Sequence, residues 1–187
     1  FGRFPESDLN FDFDASGHLK PEWEVAFRYA FLPSRLFGQP LSGQGRFQLN
    51  SQEIRDADVL LALGGNTINA SGNLGKSGDR LFWKLHAPDL GVLGEGYKGN
   101  LSGQGEMTGS LPALQVQMTL EGTDFLILDQ YGARKLAMKA QFGTRLQDKM
   151  AVDVRGEDIT IGSGQWKSIQ AQLDGTLRSH TIKASAM

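Results

Sequence analysis

Apolar and polar residues alternate with a period of two along most of this chain. In residues 23–31 the odd positions are aromatic or aliphatic, and the charged residues Glu24 and Arg28 lie between them. Successive side chains of a β-strand point to opposite faces of a sheet, so this pattern predicts strands with one apolar and one polar face. A helix would need apolar residues three and four positions apart, and no long window has them. The sequence therefore predicts an all-β protein.

Five alternating runs supply the candidate residues of the predicted apolar face. They are Trp23, Val25, Phe27, Tyr29, Phe31, Leu114, Val116, Met118, Leu120, Leu136, Met138, Ala140, Phe142, Met150, Val152, Val154, Ile169, Ala171 and Leu173. Gln, Thr, Lys and Asp dominate the positions between them. The alternation alone is more typical of a sandwich or barrel that closes over its core; the sharper alternative is a groove that stays open, and composition does not separate the two.

Short turn signals separate the runs, among them Gly64-Gly65-Asn66, Gly78-Asp79 and Gly162-Ser163-Gly164. Connections of two to five residues join antiparallel neighbours, whereas parallel pairing needs crossovers of a dozen residues or more. We therefore expect an antiparallel meander of roughly twelve to fourteen strands, which exceeds the ~10 strands usual for an open sheet, so it should be elongated and strongly curled. Residues 34–39, between two prolines, are expected to form a loop or a brief helix.

A faint internal repeat runs through the predicted sheet. Residues 41–45 read Leu-Ser-Gly-Gln-Gly, and residues 101–105 have the same sequence. Residues 83–90 are echoed more loosely by residues 152–159. Such a repeat predicts stacked units with contacts only between neighbours. We expect residues 1–187 to be one segment without an internal boundary, cut from a longer repetitive protein, since the chain opens on Phe1.

Composition excludes several function classes. The net charge is −2, from 19 basic and 21 acidic side chains, so the chain lacks the basic surface of a nucleic-acid binder. No cysteine is present, which removes thiol catalysis, disulfides and thiolate metal ligands. The longest apolar run, residues 59–63, is much shorter than the ~20 residues that span a bilayer.

No motif predicts catalysis, a metal or a cofactor. Gly94, Gly96 and Gly99 have dinucleotide-site spacing, but the following residues 100–105 would not form the required helix. Gly75-Lys76-Ser77 lacks the first glycine of a phosphate loop, since Ala70 stands there. The three histidines are scattered, and the carboxylate pairs are better read as solvated turns or strand ends. An enzyme is the least favoured interpretation.

Residues 85–122 carry an ordered set of motifs. Residues 85–90 read Leu-His-Ala-Pro-Asp-Leu; a glycine-punctuated segment follows from Gly99, and residues 109–114 read Gly-Ser-Leu-Pro-Ala-Leu. The earlier residues 65–72 are of the same kind. In this combination the chain resembles the TamB family, the inner-membrane-anchored subunit of the translocation and assembly module of Gram-negative bacteria. The AsmA-like and bridge-like lipid-transfer proteins share its style.

The resemblance implies a fold, a location and partners. The fold would be a β-taco, a curled sheet with a hydrophobic concave side. The location would be the periplasm, where an inner-membrane segment absent from this chain anchors the whole protein. The partners would be phospholipid acyl chains and the Omp85-class outer-membrane barrel TamA, and possible clients would be outer-membrane proteins. We expect no nucleic-acid partner.

The first hypothesis is therefore a non-catalytic bridge that shields phospholipid acyl chains in a hydrophobic groove between the two membranes, with a wet, convex polar face outside. The alternative is a periplasmic chaperone that assembles outer-membrane or autotransporter proteins by adding client strands to exposed sheet edges. A third possibility is a β-solenoid that binds carbohydrate through Trp83 and Trp166.

Overall fold

A computed structural model describes residues 7–110 and 112–187 of the chain, and these form one antiparallel sheet of fourteen strands. The strands are β1 Ser7–Asp8, β2 Phe11–His18, β3 Glu24–Phe31, β4 Ser34–Leu36, β5 Gln39–Asn50, β6 Ile54–Leu63, β7 Asn66–Leu74, β8 Arg80–Ala87, β9 Lys98–Ser110, β10 Ala113–Ile127, β11 Tyr131–Gly143, β12 Lys149–Ile161, β13 Gly164–Thr176 and β14 His180–Ala186. A 3₁₀ turn, Leu90–Leu93, is the one helical element of the described residues. The predicted all-β class is confirmed.

The strands pair almost entirely in chain order, as a meander does. From β5 to β14 each strand pairs with the next along the chain. At the other end β5 pairs with both β3 and β4, which in turn pair with β2 and β1. Strand β14 has no pairing with this first group, so the sheet is open rather than a closed barrel. The expected elongated, curled antiparallel meander is confirmed.

One local expectation was wrong. Residues 34–36 form strand β4 instead of a loop or a brief helix. The buried Ser34 explains the pairing, because its hydroxyl accepts a hydrogen bond from the Asn10 backbone N–H at 2.9 Å and donates one to the Asn10 carbonyl at 2.8 Å. These two bonds attach the β1–β2 connection, which contains Asn10, to strand β4.

Glycines on the apolar face lie beneath large side chains of the neighbouring strand. Tyr29 is paired with Gly45, and a Cβ on Gly45 would lie 2.5 Å from the tyrosine ring. Trp83 is paired with Gly105, where a Cβ would lie 2.7 Å from the indole nitrogen. Each of these glycines is the last residue of a Leu-Ser-Gly-Gln-Gly repeat. The repeat therefore places a residue without a side chain where an aromatic ring of the next strand packs. A ring lying across a glycine fills the face while the two strands curve.

Three aspartates change the phase of the alternation within long strands. Asp56, Asp124 and Asp158 have φ of 51°, 48° and 49°, a left-handed conformation that aspartate tolerates better than most residues. The register shifts beside Asp56 and beside Asp124, as at a β-bulge. Beyond Asp124, the Phe125 ring lies over Gly122. Phe125 therefore shares a face with a residue three positions earlier, whereas regular alternation would place it on the opposite face. Bulges bend strands, and these corners curve the sheet along its strands as well as across them.

The segment between β8 and β9 closes one rim of the sheet. Asp89 caps the 3₁₀ turn by accepting a hydrogen bond from the Gly91 N–H at 2.8 Å. The side chain of Asn66 bonds the Asp89 backbone in both directions, at 2.7 and 3.2 Å. Ala87, the last residue of β8, and Leu90, the first residue of the turn, are both buried. The Ala-Pro-Asp-Leu motif is therefore a structural rim element.

Asp148 fastens the opposite rim, in the turn between β11 and β12. Its carboxylate accepts hydrogen bonds from Arg145 Nε at 2.9 Å and the Arg145 backbone N–H at 3.1 Å, and from Gln115 Nε2 of β10 at 3.2 Å. The side chain is almost fully buried. Hydrogen bonding from the Arg145 side chain, which is the largest influence, holds the pKa of Asp148 below its ordinary value.

We predict that Gly45→Ala destabilises the chain by about 1–3 kcal/mol, because the new methyl group overlaps the Tyr29 ring. The same change in a Tyr29→Ala background should cost much less, since the overlapping ring is gone. Urea unfolding of the four proteins in this double-mutant cycle measures the coupling. Equal costs in the two backgrounds would contradict the pairing of ring and glycine.

We predict that Asp148→Asn lowers the Tm at neutral pH by a few degrees. A carboxyl whose pKa is depressed by folding stabilises the native state above its unfolded pKa of about 3.9, and this contribution is lost as pH falls through the lower folded value. The Tm difference from wild type should therefore shrink in strong acid. Thermal melts followed by circular dichroism across this range test it, with the exposed Asp12→Asn as control. A difference that is independent of pH would refute the electrostatic explanation.

Candidate functional site

The candidate apolar residues lie together on one face, with one exception. Trp23 precedes β3, outside the strands, and is 38% exposed. The others lie in strands, and the register aligns them in rows across the sheet. One row runs Met118, Ala140, Val152 and Leu173, and the next row contains Leu120, Met138, Val154 and Ala171. We call this face, from Phe27 on β3 to Leu173 on β13, the apolar ribbon.

The five alternating runs leave out the middle of the apolar ribbon. The register continues the rows through β5 to β9 by way of Leu41, Phe47, Val59, Leu61, Ile68, Leu81, Trp83, Leu85, Leu101 and Met107. Glycines and alanines occupy many of the intervening places, such as Gly43, Gly45 and Ala70. These small residues and the phase change at Asp56 hide the alternation. The sequence feature that could have identified these strands is the repeated Gly-x-Gly, whose last glycine pairs with an aromatic residue of the neighbouring strand.

An aromatic cleft marks the β2–β6 end of the apolar ribbon. It has a volume of about 390 Å³ and is lined by Phe11, Phe13, Phe27, Tyr29, Phe31, Phe47 and Leu61. Phe27 stacks on Phe47 with ring centroids 5.1 Å apart, and Phe13 lies 5.8 Å from Phe27. The Tyr29 hydroxyl donates only a long hydrogen bond, 3.4 Å, to the Leu60 carbonyl, and burial raises the pKa of this phenol. The cleft thus presents a nearly continuous hydrocarbon surface.

No second layer of described residues closes over the apolar ribbon. The chain exposes 12454 Å² of surface, whereas a compact monomer of its 20.4 kDa exposes about 8,800 Å². Among the described residues the buried apolar side chains form only one small cluster, Ala57, Leu74 and Leu81, and most members of the apolar ribbon are half-buried by one another. A sandwich or barrel of this size would contain a fully buried core. The structure therefore favours the open alternative.

The polar face has a broad depression of its own. A groove of about 850 Å³ crosses seven strands, from Asn69 and Ser71 on β7 to Gln172 and Asp174 on β13. We call it the polar groove. A convex polar face was expected, whereas over this region the polar face is hollow. The physical reason is the twist of the sheet. A twisted sheet is saddle-shaped, so one of its faces is concave in one direction and the other face is concave in the perpendicular direction.

The remaining candidate chemistry does not converge. Within residues 7–110 and 112–187 no group of three metal-ligating side chains exists. Gly94 and Gly96 lie in the connection that leads into strand β9, and Gly99 is the second residue of that strand, so no helix follows these glycines. Asp56 and Asp158 occupy the left-handed corner positions, so their role is conformational. Asp158 and Glu157 both form ion pairs with Arg134 across the β11–β12 pair.

None of the described helical residues forms a segment with the length and apolarity that a membrane crossing requires.

Comparisons with known proteins give a family. The family described as "TamB, N-terminal domain" matches residues 5–187. No curated protein and no solved structure matches the chain. TamB proteins are a bridge and assembly family of the bacterial envelope, associated in general with a TamA-type partner. The match covers almost all of the sequence and agrees with the open, curled sheet, so the chain belongs to the TamB family, in its N-terminal domain.

Proposed function

We propose that the apolar ribbon shields phospholipid acyl chains while they cross the aqueous space between the inner and outer membranes. One observation carries this proposal: apolar rows continue across the sheet from β3 to β13, and no described layer covers them. A continuous uncovered apolar face of this extent is unusual for a protein in water and marks an interaction surface.

The energetics of such a face suit passage rather than storage. Removing one methylene from water is worth about 0.8 kcal/mol, so two acyl chains gain about 20 kcal/mol or more relative to water. Relative to a bilayer the gain is near zero, because lipid tails are as apolar as the side chains that replace them. A lipid can therefore leave one membrane and enter the other without falling into a deep trap.

The side chains along the apolar ribbon fit a ligand that slides. Met107, Met118, Met138 and Met150 lie on it, and their unbranched thioethers adapt to different neighbours. The methylenes of an acyl chain have no hydrogen-bonding groups, so contact with these side chains does not fix one orientation of the chain. The expected ligand is thus defined by its tail, and its head group stays in water.

We predict that Met138→Arg and Val116→Asp reduce phospholipid binding at least about tenfold, because each change places a charge within the apolar ribbon. Native mass spectrometry of the purified chain measures co-purified phospholipid. Ala137→Arg is the matched control, since Ala137 is exposed on the opposite face beside Met138. Unchanged lipid occupancy in folded Met138→Arg protein would overturn the proposal.

A second candidate function is supported by the two outer strands. Strand β2 pairs only with β3, and β14 pairs only with β13; every residue of both is exposed. An unpaired strand edge offers backbone N–H and C=O groups to another chain. We therefore retain, as the alternative, a chaperone that adds strands of outer-membrane or autotransporter clients to these edges, with a TamA-type barrel as the partner of the whole protein.

Photocrosslinking separates the two functions. A photoreactive residue in place of Met138 should capture phospholipid if the apolar ribbon carries lipid. A photoreactive residue in place of Asp12, on edge strand β2, should capture an unfolded outer-membrane protein if the edge binds clients. Client capture from β2 together with no lipid capture from position 138 would establish the alternative instead.

A further inference from the structure

We propose that one rim of the sheet carries a docking surface for anionic phospholipid bilayers, formed by two neighbouring turns. The turns are residues 144–148, between β11 and β12, and residues 177–179, between β13 and β14. We call them the paired turns. Docking through them does not depend on acyl-chain shielding by the apolar ribbon, because the apolar ribbon lies on a face of the sheet and the paired turns lie at its rim.

Each of the paired turns presents a leucine to water. Leu146 is 64% exposed and Leu177 is 42% exposed. The Arg178 backbone N–H donates a hydrogen bond of 3.0 Å to the Leu146 carbonyl, so the two turns lie side by side. An exposed leucine gains free energy when its apolar surface leaves water, and the boundary between the head groups and the acyl chains of a bilayer accepts such a side chain.

Hydrogen bonds within the paired turns fix the backbone that presents these leucines. Around Leu177, the Thr176 backbone N–H donates to the Ser179 carbonyl at 2.7 Å, and the Ser179 backbone N–H donates to the Thr176 hydroxyl at 3.1 Å. Around Leu146, the Asp148 backbone N–H donates to the Arg145 carbonyl at 3.0 Å, and the Asp148 carboxylate accepts from Arg145 Nε at 2.9 Å. Little conformational entropy is therefore lost when the turns bind a surface.

The charges at the paired turns indicate an anionic partner. Residues 144–149 and 174–180 contain three basic and two acidic side chains, namely Arg145, Lys149, Arg178, Asp148 and Asp174. Asp148 is buried and forms an ion pair with Arg145 at 2.9 Å. Asp174 lies opposite Ala151, two residues further from the rim than Lys149. Cations therefore predominate at the tips, next to the two leucines.

Two of these cations are available to bind phosphate. Lys149 and Arg178 are exposed and form no ion pair with any residue of the described ranges 7–110 and 112–187. The phosphates of a bilayer lie just outside the acyl-chain boundary, so leucines at that boundary bring flanking cations to the phosphates. An acidic protein would have to match the shape of both turns, whereas a bilayer has only to accept their tips and their charge. The combination therefore fits an anionic bilayer.

The opposite rim provides a contrast within the same chain. Leu128, in the turn between β10 and β11, is 56% exposed, so it resembles Leu146 in exposure. Asp129 is the one charged side chain of that turn, residues 128–130. A carboxylate beside the leucine repels anionic head groups. We therefore expect docking through the rim that carries the paired turns and no docking through Leu128.

Flotation of the intact chain with lipid vesicles tests the proposal. We expect binding to phosphatidylcholine vesicles that contain about 25% phosphatidylglycerol, and at least about tenfold weaker binding to vesicles of phosphatidylcholine alone. Binding should weaken between about 50 mM and about 500 mM NaCl, because salt screens the attraction. Equal binding to both kinds of vesicle would overturn the proposal, and so would binding of soluble polyglutamate as tightly as the anionic vesicles.

Variants assign the binding to the paired turns. The double change Leu146→Ala with Leu177→Ala, and separately Arg178→Glu, should each weaken binding to the anionic vesicles at least about tenfold. Leu128→Ala is the matched control and should bind as the wild type does. Undiminished binding by the double leucine variant, or an equal loss in Leu128→Ala, would overturn the assignment. Met138→Arg should leave docking intact, so failure of acyl-chain shielding and failure of this proposal give different results.

Discussion

The structure depends on contacts between a glycine and the ring that lies across it from the next strand. A single sheet with one apolar face is ordinarily stabilised by a second layer, and the described residues supply none. Tyr29 over Gly45 and Trp83 over Gly105 replace that layer locally, because each ring buries itself on the backbone of its own sheet. The missing Cβ atoms let the strands curve without crowding. Curvature then brings neighbouring apolar side chains into mutual contact.

Alternation predicted the fold class and the outer parts of the apolar face, because β3 and most of each strand from β10 to β13 keep a period of two. It failed where backbone geometry changes the count. Beyond Asp124 the apolar position moves to Phe125, and a period-two reading assigns that residue to the wrong face. Residues 34–36 were missed for a different reason, since their strand depends on the distant Asn10. Hydrogen bonds between residues far apart in sequence leave no periodic trace.

The predicted site was right in kind and incomplete in extent. Eighteen strand positions of one face could be named from β3 and from β10 to β13, whereas the aromatic cleft needed the pairing of β2, β3 and β5 to become visible. The polar groove could not be predicted at all. Twist of the whole sheet creates it, and twist is a cumulative property of many strand pairs rather than of any short motif.

Pairing between chain neighbours has a mechanical consequence. Since nearly every strand bonds only to the strands before and after it, the loss of one hairpin leaves the pairings on both sides intact. The free energy of unfolding of the sheet is then a sum of contributions from neighbouring strand pairs, and no single cooperative core holds all the strands together. Breathing of one hairpin would open a lateral gap of a few strands while the rest of the structure keeps its shape.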